Sequence, residues 1–110
     1  MGLPSKGTIV LIRFPFSDLS RSKLRPALVV ASTDKNDFIL CQITSKDYGD
    51  SKSVKLVEAD FETGSLQKVS FVRYTKIFTA NNSIISSELG NLKEKKFHKI
   101  IDLLIEFLKD

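Results

Sequence analysis

The 110-residue chain contains no tryptophan, one methionine, one histidine (His98) and one cysteine (Cys41). A single cysteine excludes an intramolecular disulfide and is typical of a reducing compartment. One histidine and one cysteine are too few to build a zinc site. Neither a glycine-rich phosphate loop nor a Ser-His-Asp arrangement is readable. We therefore expect no metal and no cofactor.

Long apolar runs are also absent. The most apolar stretch, residues 100–108, contains Asp102 and Glu106, whereas a bilayer-spanning helix needs about 20 apolar residues. The first apolar run begins at Ile9 and is broken by Arg13, which is unlike the core of a signal peptide. These features predict a cytoplasmic protein that has no membrane segment.

The composition is that of a folded domain with a basic surface. Hydrophobic residues make up 42% of the chain and charged residues 27%, and the formal net charge is +4. A chain of this length forms one domain, which we take to span residues 1–110. A positive balance favours polyanionic partners through electrostatic steering.

Five segments have the β-branched and aromatic composition of strands: residues 8–14, 26–31, 38–44, 53–57 and 69–79. Pro26 has no N–H to donate, so we place it at the start of the second strand. Polar loops are predicted at 15–24 and 45–51, and residues 60–68 are expected to be irregular. Residues 84–89 are predicted to form a short helical turn that Gly90 ends.

The C-terminal segment has helical periodicity. Asn91 is the expected N-cap, with Glu94 three residues later. One apolar stripe follows at three- and four-residue spacing: Phe97, Ile100, Ile101, Leu104, Phe107 and Leu108. Strands followed by one packing helix predict an α+β protein that is mainly β, namely a small, bent, SH3-like barrel with a C-terminal amphipathic helix.

Arg25 is the first candidate functional residue. It stands directly before Pro26, and the preceding loop contains Arg21 and Lys23. A guanidinium group offers a planar fork of donors that fits phosphate oxygens. The alternative is a surface ion pair, for example with Asp18.

Hydroxyl groups follow at the end of the third strand, on Thr44 and Ser45. Such groups can contact phosphate or orient a nucleophile. They can equally satisfy backbone donors in a local turn.

Arg73 interrupts the late strand. Alternation places it on one face with Phe71 and Thr75 and places Val72 and Tyr74 on the other. It either lines a site or faces water.

His98 and Cys41 are of residue types that often serve in catalysis. We expect His98, on a lysine-rich helix face, to be a solvated surface residue rather than a general base. We expect Cys41 to pack as a small hydrophobe.

The order and spacing of these segments resemble the PemK-like branch of the MazF/PemK family over nearly the whole chain. The matching blocks are GTIV at 7–10, FPFSD at 14–18, KLRPALVV at 23–30, ITS at 43–45, GSL at 64–66, SFVR at 70–73 and GNL at 90–92.

The resemblance implies an SH3-like barrel of the CcdB/PemK type that forms a homodimer and acts as the toxin of a type II toxin–antitoxin system. Such toxins cleave single-stranded RNA without a metal, leaving a 2′,3′-cyclic phosphate, and a cognate antitoxin blocks their groove. The implied catalytic residues are Arg25, Thr44 and Arg73.

Our candidate substrate-binding residues are Ser17, Arg21, Lys23, Ser45, Lys46 and Ser70. Some relatives carry a carboxylate where this chain has Thr75, and an arginine where it has Phe78. Asp18 is therefore our candidate for the missing carboxylate base. Two other functions stay open at this point, a non-catalytic barrel toxin of the gyrase-poisoning type and an RNA-binding module that does not cleave.

Overall fold

The structure, a computed structural model, describes residues 3–15 and 22–110. These residues form seven strands and one α-helix: β1 Thr8–Pro15, β2 Ser22–Ser32, β3 Asp37–Thr44, β4 Val54–Leu56, β5 Phe61–Gly64, β6 Ser70–Asn81, β7 Ile85–Leu92 and α1 Glu94–Lys109. Single 3₁₀ turns lie at Asp34–Asn36, Glu58–Asp60 and Asn82–Ile84. The predicted mainly β fold with a C-terminal helix is confirmed.

All strands belong to one antiparallel sheet in the order β4-β6-β3-β2-β1-β7-β5. Strand β2 lies at the centre, as its uninterrupted apolar run predicts, and residues 27–30 are buried. Along β2, Leu28 belongs to one apolar cluster, whereas Ala27 and Val29 belong to another. Because neighbouring residues of a strand point to opposite faces, the sheet buries apolar side chains on both of its faces.

The sheet bends sharply where β3 meets β6. Cys41 pairs with Ile77, but the next residue, Gln42, pairs with Arg73, so three residues of β6 have no direct partner at this point. Extra residues of this kind bend a strand and increase its twist. The bend curls the sheet and gives it the half-barrel form.

Helix α1 packs on one face of the sheet through Phe97, Ile100 and Leu104, which are buried. Leu108, also assigned to the stripe, is 64% exposed. The N-cap residue is Lys93 rather than Asn91. Asn91 lies in β7, where its amide accepts from Thr8 Oγ1 at 2.8 Å and donates to Thr63 Oγ1 at 3.1 Å. Its side chain thereby joins three strands and is not available to cap the helix.

Three sequence predictions at strand boundaries are wrong. Ile84 ends a 3₁₀ turn, but residues 85–89 belong to β7 rather than to a helical turn, because β1 pairs with them. Residues 61–64 form β5 instead of an irregular segment. Pro26 is the fifth residue of β2, opposite Leu11, and β3 begins to pair only at Ala27. The missing N–H of Pro26 therefore breaks no pairing with β3.

Among the described residues, no helix combines the length and the apolar character that are needed to cross a bilayer.

Gly64 is required by its surroundings. It has a φ of +72°, and an added Cβ would meet the carbonyl oxygen of Leu89 and lie 2.6 Å from the Cα of Gly90. Gly49 has nearly the same φ, +70°, but nothing lies within 4 Å of its Cβ position. The two glycines differ mainly in the close approach of β5 to β7.

We expect Gly64→Ala to destabilise the protein more than Gly49→Ala does. Both changes incur the cost of a left-handed backbone, about 1–2 kcal/mol, but only Gly64→Ala adds a backbone clash, which costs about 1–3 kcal/mol more. Urea unfolding of both variants measures the difference in free energy. Equal losses would contradict the close β5–β7 packing.

Candidate functional site

Arg25 and Thr44 lie at the same end of the β2–β3 pair. The last paired residues there are Ala27 and Gln42, and Arg25 and Thr44 stand two residues beyond them. Continuation of the same antiparallel register would set these two positions opposite each other. Directly opposed side chains lie on the same face. Arg25 is half-buried, as is Thr44, so both are held by packing while remaining accessible.

A groove of about 390 Å³ lies at this end of the sheet. Six of its lining residues are apolar: Leu11, Leu24, Pro26, Ile43, Leu66 and Leu89. The other six are three cations and three hydroxyl residues: Lys23, Arg25, Lys68, Thr44, Ser45 and Ser70. A groove lined by apolar side chains and cations suits an anion that carries a flat, partly apolar group.

Five of the ten residues predicted from the sequence line this groove: Lys23, Arg25, Thr44, Ser45 and Ser70. Ser70 is only 3% exposed, and its hydroxyl donates to the carbonyl of Lys68 at 3.2 Å. It therefore shapes the groove wall beside Lys68. Ser17, Asp18 and Arg21 lie outside the described residues.

The hydroxyl of Thr44 closes a turn. It accepts a hydrogen bond from the backbone N–H of Lys46 at 3.1 Å. This bond forms the local turn that was one of the two roles considered for Thr44 from the sequence. A hydroxyl has one donor and two acceptor positions. Its O–H can therefore donate to a phosphate oxygen while the turn holds it in place.

Arg73 lies on the same face, one strand further out, but it does not line the groove. It pairs with Gln42, and Thr44 pairs with Phe71, so Arg73 is a diagonal neighbour of Thr44, about 7 Å away between Cα atoms. The predicted alternation is confirmed, because Val72 and Tyr74 are buried on the opposite face.

The guanidinium of Arg73 is engaged by the loop between β3 and β4. Its Nε lies 3.7 Å from Asp50 Oδ2, and its Cζ lies 4.7 Å from the centre of the Tyr48 ring. Within the described part of the chain, this buried Nε makes no hydrogen bond. The contact with Asp50 is thus an ion pair rather than a bidentate fork, and Arg73 supports the loop.

Hydrogen bonds within the loop fix its shape. Asp47 accepts from the backbone of Gly49 and Asp50 from the backbone of Lys52, each at 2.8 Å. The ammonium of Lys52 lies 5.9 Å from the ring of Phe107 on α1. Tyr48 is held at the loop surface with 55% of its area exposed, and the ammonium of Lys46 is 5.0 Å from its ring centre.

Sequence reasoning missed Tyr48, Lys68 and the apolar pair Leu66 and Leu89. An aromatic residue in an otherwise polar loop was the signal for Tyr48. The GSL block at 64–66 contains Leu66 but gave it no role, and no local pattern marks Leu89. The folding of separate segments brings both to the groove.

His98 and Cys41 stand apart from the groove. His98 is 62% exposed on α1, with its Nε2 4.0 Å from Glu94, as expected of a surface residue. Cys41 is fully buried in β3, and burial raises the pKa of its thiol from 9.0 to about 11. Within residues 3–15 and 22–110, no three side chains of the His, Cys, Asp and Glu types cluster as metal ligands.

Comparison with known proteins identifies the family. Residues 5–108 match the model of the PemK-like, MazF-like toxins of type II toxin–antitoxin systems. No curated protein sequence matches the chain. Because the family model covers nearly the whole chain, the protein belongs to this toxin family.

Solved structures share the fold. The MazF of a MazE–MazF complex from Deinococcus radiodurans is similar, with a TM-score of 0.78 at 18% identity over 98% of both chains. An endoribonuclease from a mycobacterial species gives 0.71 at 20% identity, covering 99% of this chain and 94% of its own. A mycobacterial endoribonuclease in complex with its cognate antitoxin gives 0.69 at 19% identity, over 99% and 96%.

We expect Cys41 to resist alkylation in the folded protein. At pH 8 a thiol with a pKa of about 11 is ionised roughly a hundredfold less than one with the unfolded value of 9.0, and its burial blocks access as well. Iodoacetamide labelling with and without urea, followed by mass spectrometry, measures the two rates.

The raised pKa of Cys41 also makes the free energy of unfolding depend on pH. The neutral thiol costs the folded state nothing below about pH 9, but between pH 9 and 11 the unfolded chain ionises more readily, and the free energy of unfolding falls. Labelling that is equally fast in folded and unfolded protein would contradict the burial of Cys41.

Proposed function

We propose that this family member is a toxin that cleaves single-stranded RNA in the cytoplasm without a metal ion. The observation that carries the proposal is that Arg25 and Thr44, at the same end of the β2–β3 pair, line one groove with three cations. Family membership supports it. The similarity to solved endoribonucleases lies in the fold and is consistent with it.

The proposed reaction is attack of an RNA 2′-hydroxyl on the neighbouring phosphorus. The new bond joins the 2′-oxygen to phosphorus, the bond to the 5′-oxygen breaks, and the products are a 2′,3′-cyclic phosphate and a 5′-hydroxyl. One proton leaves the 2′-oxygen and one reaches the 5′-oxygen. RNA supplies its own nucleophile, so the protein has to hold the phosphate and stabilise added negative charge.

Arg25 is the proposed clamp on the non-bridging phosphate oxygens, and Thr44 donates a hydrogen bond to the same phosphate. A guanidinium has a pKa above 12, so Arg25 acts through its charge rather than as an acid. Arg73 adds positive potential from the next strand. Asp18 remains the proposed base, from the segment outside the described residues.

The groove walls offer contacts for the rest of the RNA. Lys23 and Lys46 are exposed cations that suit flanking phosphates, with Ser45, Ser70, Ser17 and Arg21 as the further proposed contacts. The apolar wall suits the face of a base. Binding by these cations implies a steep dependence on salt.

An antitoxin and a second copy of the chain are the proposed protein partners. MazF from Deinococcus radiodurans and a mycobacterial endoribonuclease have been solved with their antitoxins. A groove lined by both cations and leucines would accept an acidic, amphipathic segment. The sheet ends in two short edge strands, β4 and β5, and pairing of subunits is the family's expected arrangement.

We expect Arg25→Ala to lower the rate of RNA cleavage by about 10²–10³, because one charge-stabilising donor is lost from the transition state. The assay is single-turnover cleavage of single-stranded RNA in EDTA. Lys109→Ala, at the far end of α1, removes a cation outside the groove and is the matched control.

Lys109→Ala should cleave as the unaltered protein does. If the unaltered protein does not cleave RNA, or cleaves it at the same rate as Arg25→Ala does, the proposed nuclease activity is refuted. Salt-sensitive RNA retention without cleavage would then indicate an RNA-binding module. Intact RNA together with stalled gyrase–DNA complexes would indicate the non-catalytic toxin.

A further inference from the structure

Tyr48 is an exposed aromatic ring that the structure nevertheless holds in place. More than half of its surface is exposed, at 55%, and it is the one aromatic among the exposed large hydrophobic residues of the described segments. Two cations lie within reach of its ring, Arg73 at 4.7 Å and Lys46 at 5.0 Å from the centre. A ring so placed has its orientation set before any partner arrives, which lowers the entropic cost of binding.

The two cations are not equivalent. The Arg73 side chain is only 21% exposed and is paired with Asp50, so its contact with the ring is part of the packed loop. Lys46 is exposed and is carried on a flexible stem. An exposed cation–π contact is weaker than the stacking of a nucleobase on an aromatic ring. A base can therefore displace the ammonium of Lys46 but not the guanidinium of Arg73.

The loop that carries the ring begins at the groove residues Thr44 and Ser45, where β3 ends. Arg73 is the diagonal neighbour of Thr44 across the β3–β6 pair, and Tyr48 is only four residues beyond Thr44 along the chain. A single strand whose phosphate contacts Arg25 and Thr44 would pass close to this loop. Single-stranded nucleic acid is typically bound by cations that follow the backbone and aromatic rings that stack on bases.

We propose that Tyr48 is a stacking site for a nucleobase of the single-stranded RNA, next to the phosphate held by Arg25 and Thr44. The inference rests on the proposed function and adds a residue that positions the substrate. The base takes the place of the Lys46 ammonium, which then turns to a neighbouring phosphate. Arg73, which is paired with Asp50, stays against the ring.

The test compares Tyr48→Phe, which keeps a ring, with Tyr48→Leu, which keeps only apolar bulk. The probe is a short 2′-O-methylated RNA oligonucleotide, which lacks a free nucleophile and so is bound without being cut. We expect Tyr48→Leu to weaken binding about tenfold and Tyr48→Phe to bind within about twofold of the unaltered protein. The dependence of affinity on salt should be the same in all three, because stacking releases no counterions.

A second readout locates the base. A fluorescent adenine analogue, moved along the oligonucleotide, should be quenched at one position by the unaltered protein and by Tyr48→Phe, but not by Tyr48→Leu. An abasic site at that position should remove the difference between Tyr48→Leu and the unaltered protein.

If Tyr48→Leu binds the oligonucleotide with unchanged affinity, the stacking site is overturned. A weaker dependence of its affinity on salt would also overturn the site, because it would mean that Tyr48 only positions cations. If the unaltered protein cleaves RNA while Tyr48→Leu binds equally well, only the stacking site fails. If the unaltered protein neither binds nor cleaves RNA, the proposed function fails with it.

Discussion

The pairing of β2 with β3 determines where the candidate side chains lie. A slip of one residue would turn every side chain of β2 to the opposite face. Such a slip would move Leu28 out of one apolar cluster and Val29 out of the other, and it would separate Arg25 from Thr44. Because the sheet is buried on both faces, the core itself fixes the register. The geometry of the groove is therefore a consequence of core packing.

A second constraint comes from the bend between β3 and β6. The three extra residues of β6 begin directly after Arg73, so this arginine stands where the sheet changes direction. Its guanidinium meets the β3–β4 loop instead of the groove, and through Tyr48 and Asp50 it gives that loop a fixed shape. Positive charge thus lies in two places, with Lys23, Arg25 and Lys68 lining the groove and with Arg73 and Lys46 at the ring of Tyr48.

Much of the fold was predictable because its signals are local. The apolar run of β2 predicts a central strand, and the spacing from Phe97 to Leu104 predicts a packed helix. The sequence predictions that are wrong concern residues whose structure is decided by segments far away in the chain. Residues 85–89 become part of a strand because β1 pairs with them, and Asn91 binds Thr8 and Thr63 rather than the helix end. The positions of Arg25 and Thr44 were predictable because both lie at strand ends. The position of Arg73 was not, because it depends on a bulge that no sequence pattern marks.

The central claim, that Arg25 and Thr44 hold one phosphate, is tested most directly by a double-mutant cycle on RNA cleavage. The measured rates are those of the unaltered protein, Arg25→Ala, Thr44→Val and the double variant. Residues that act on the same group are coupled, so the double variant should lose clearly less than the product of the two single losses. Losses that multiply independently, or rates that neither change affects, would contradict the account.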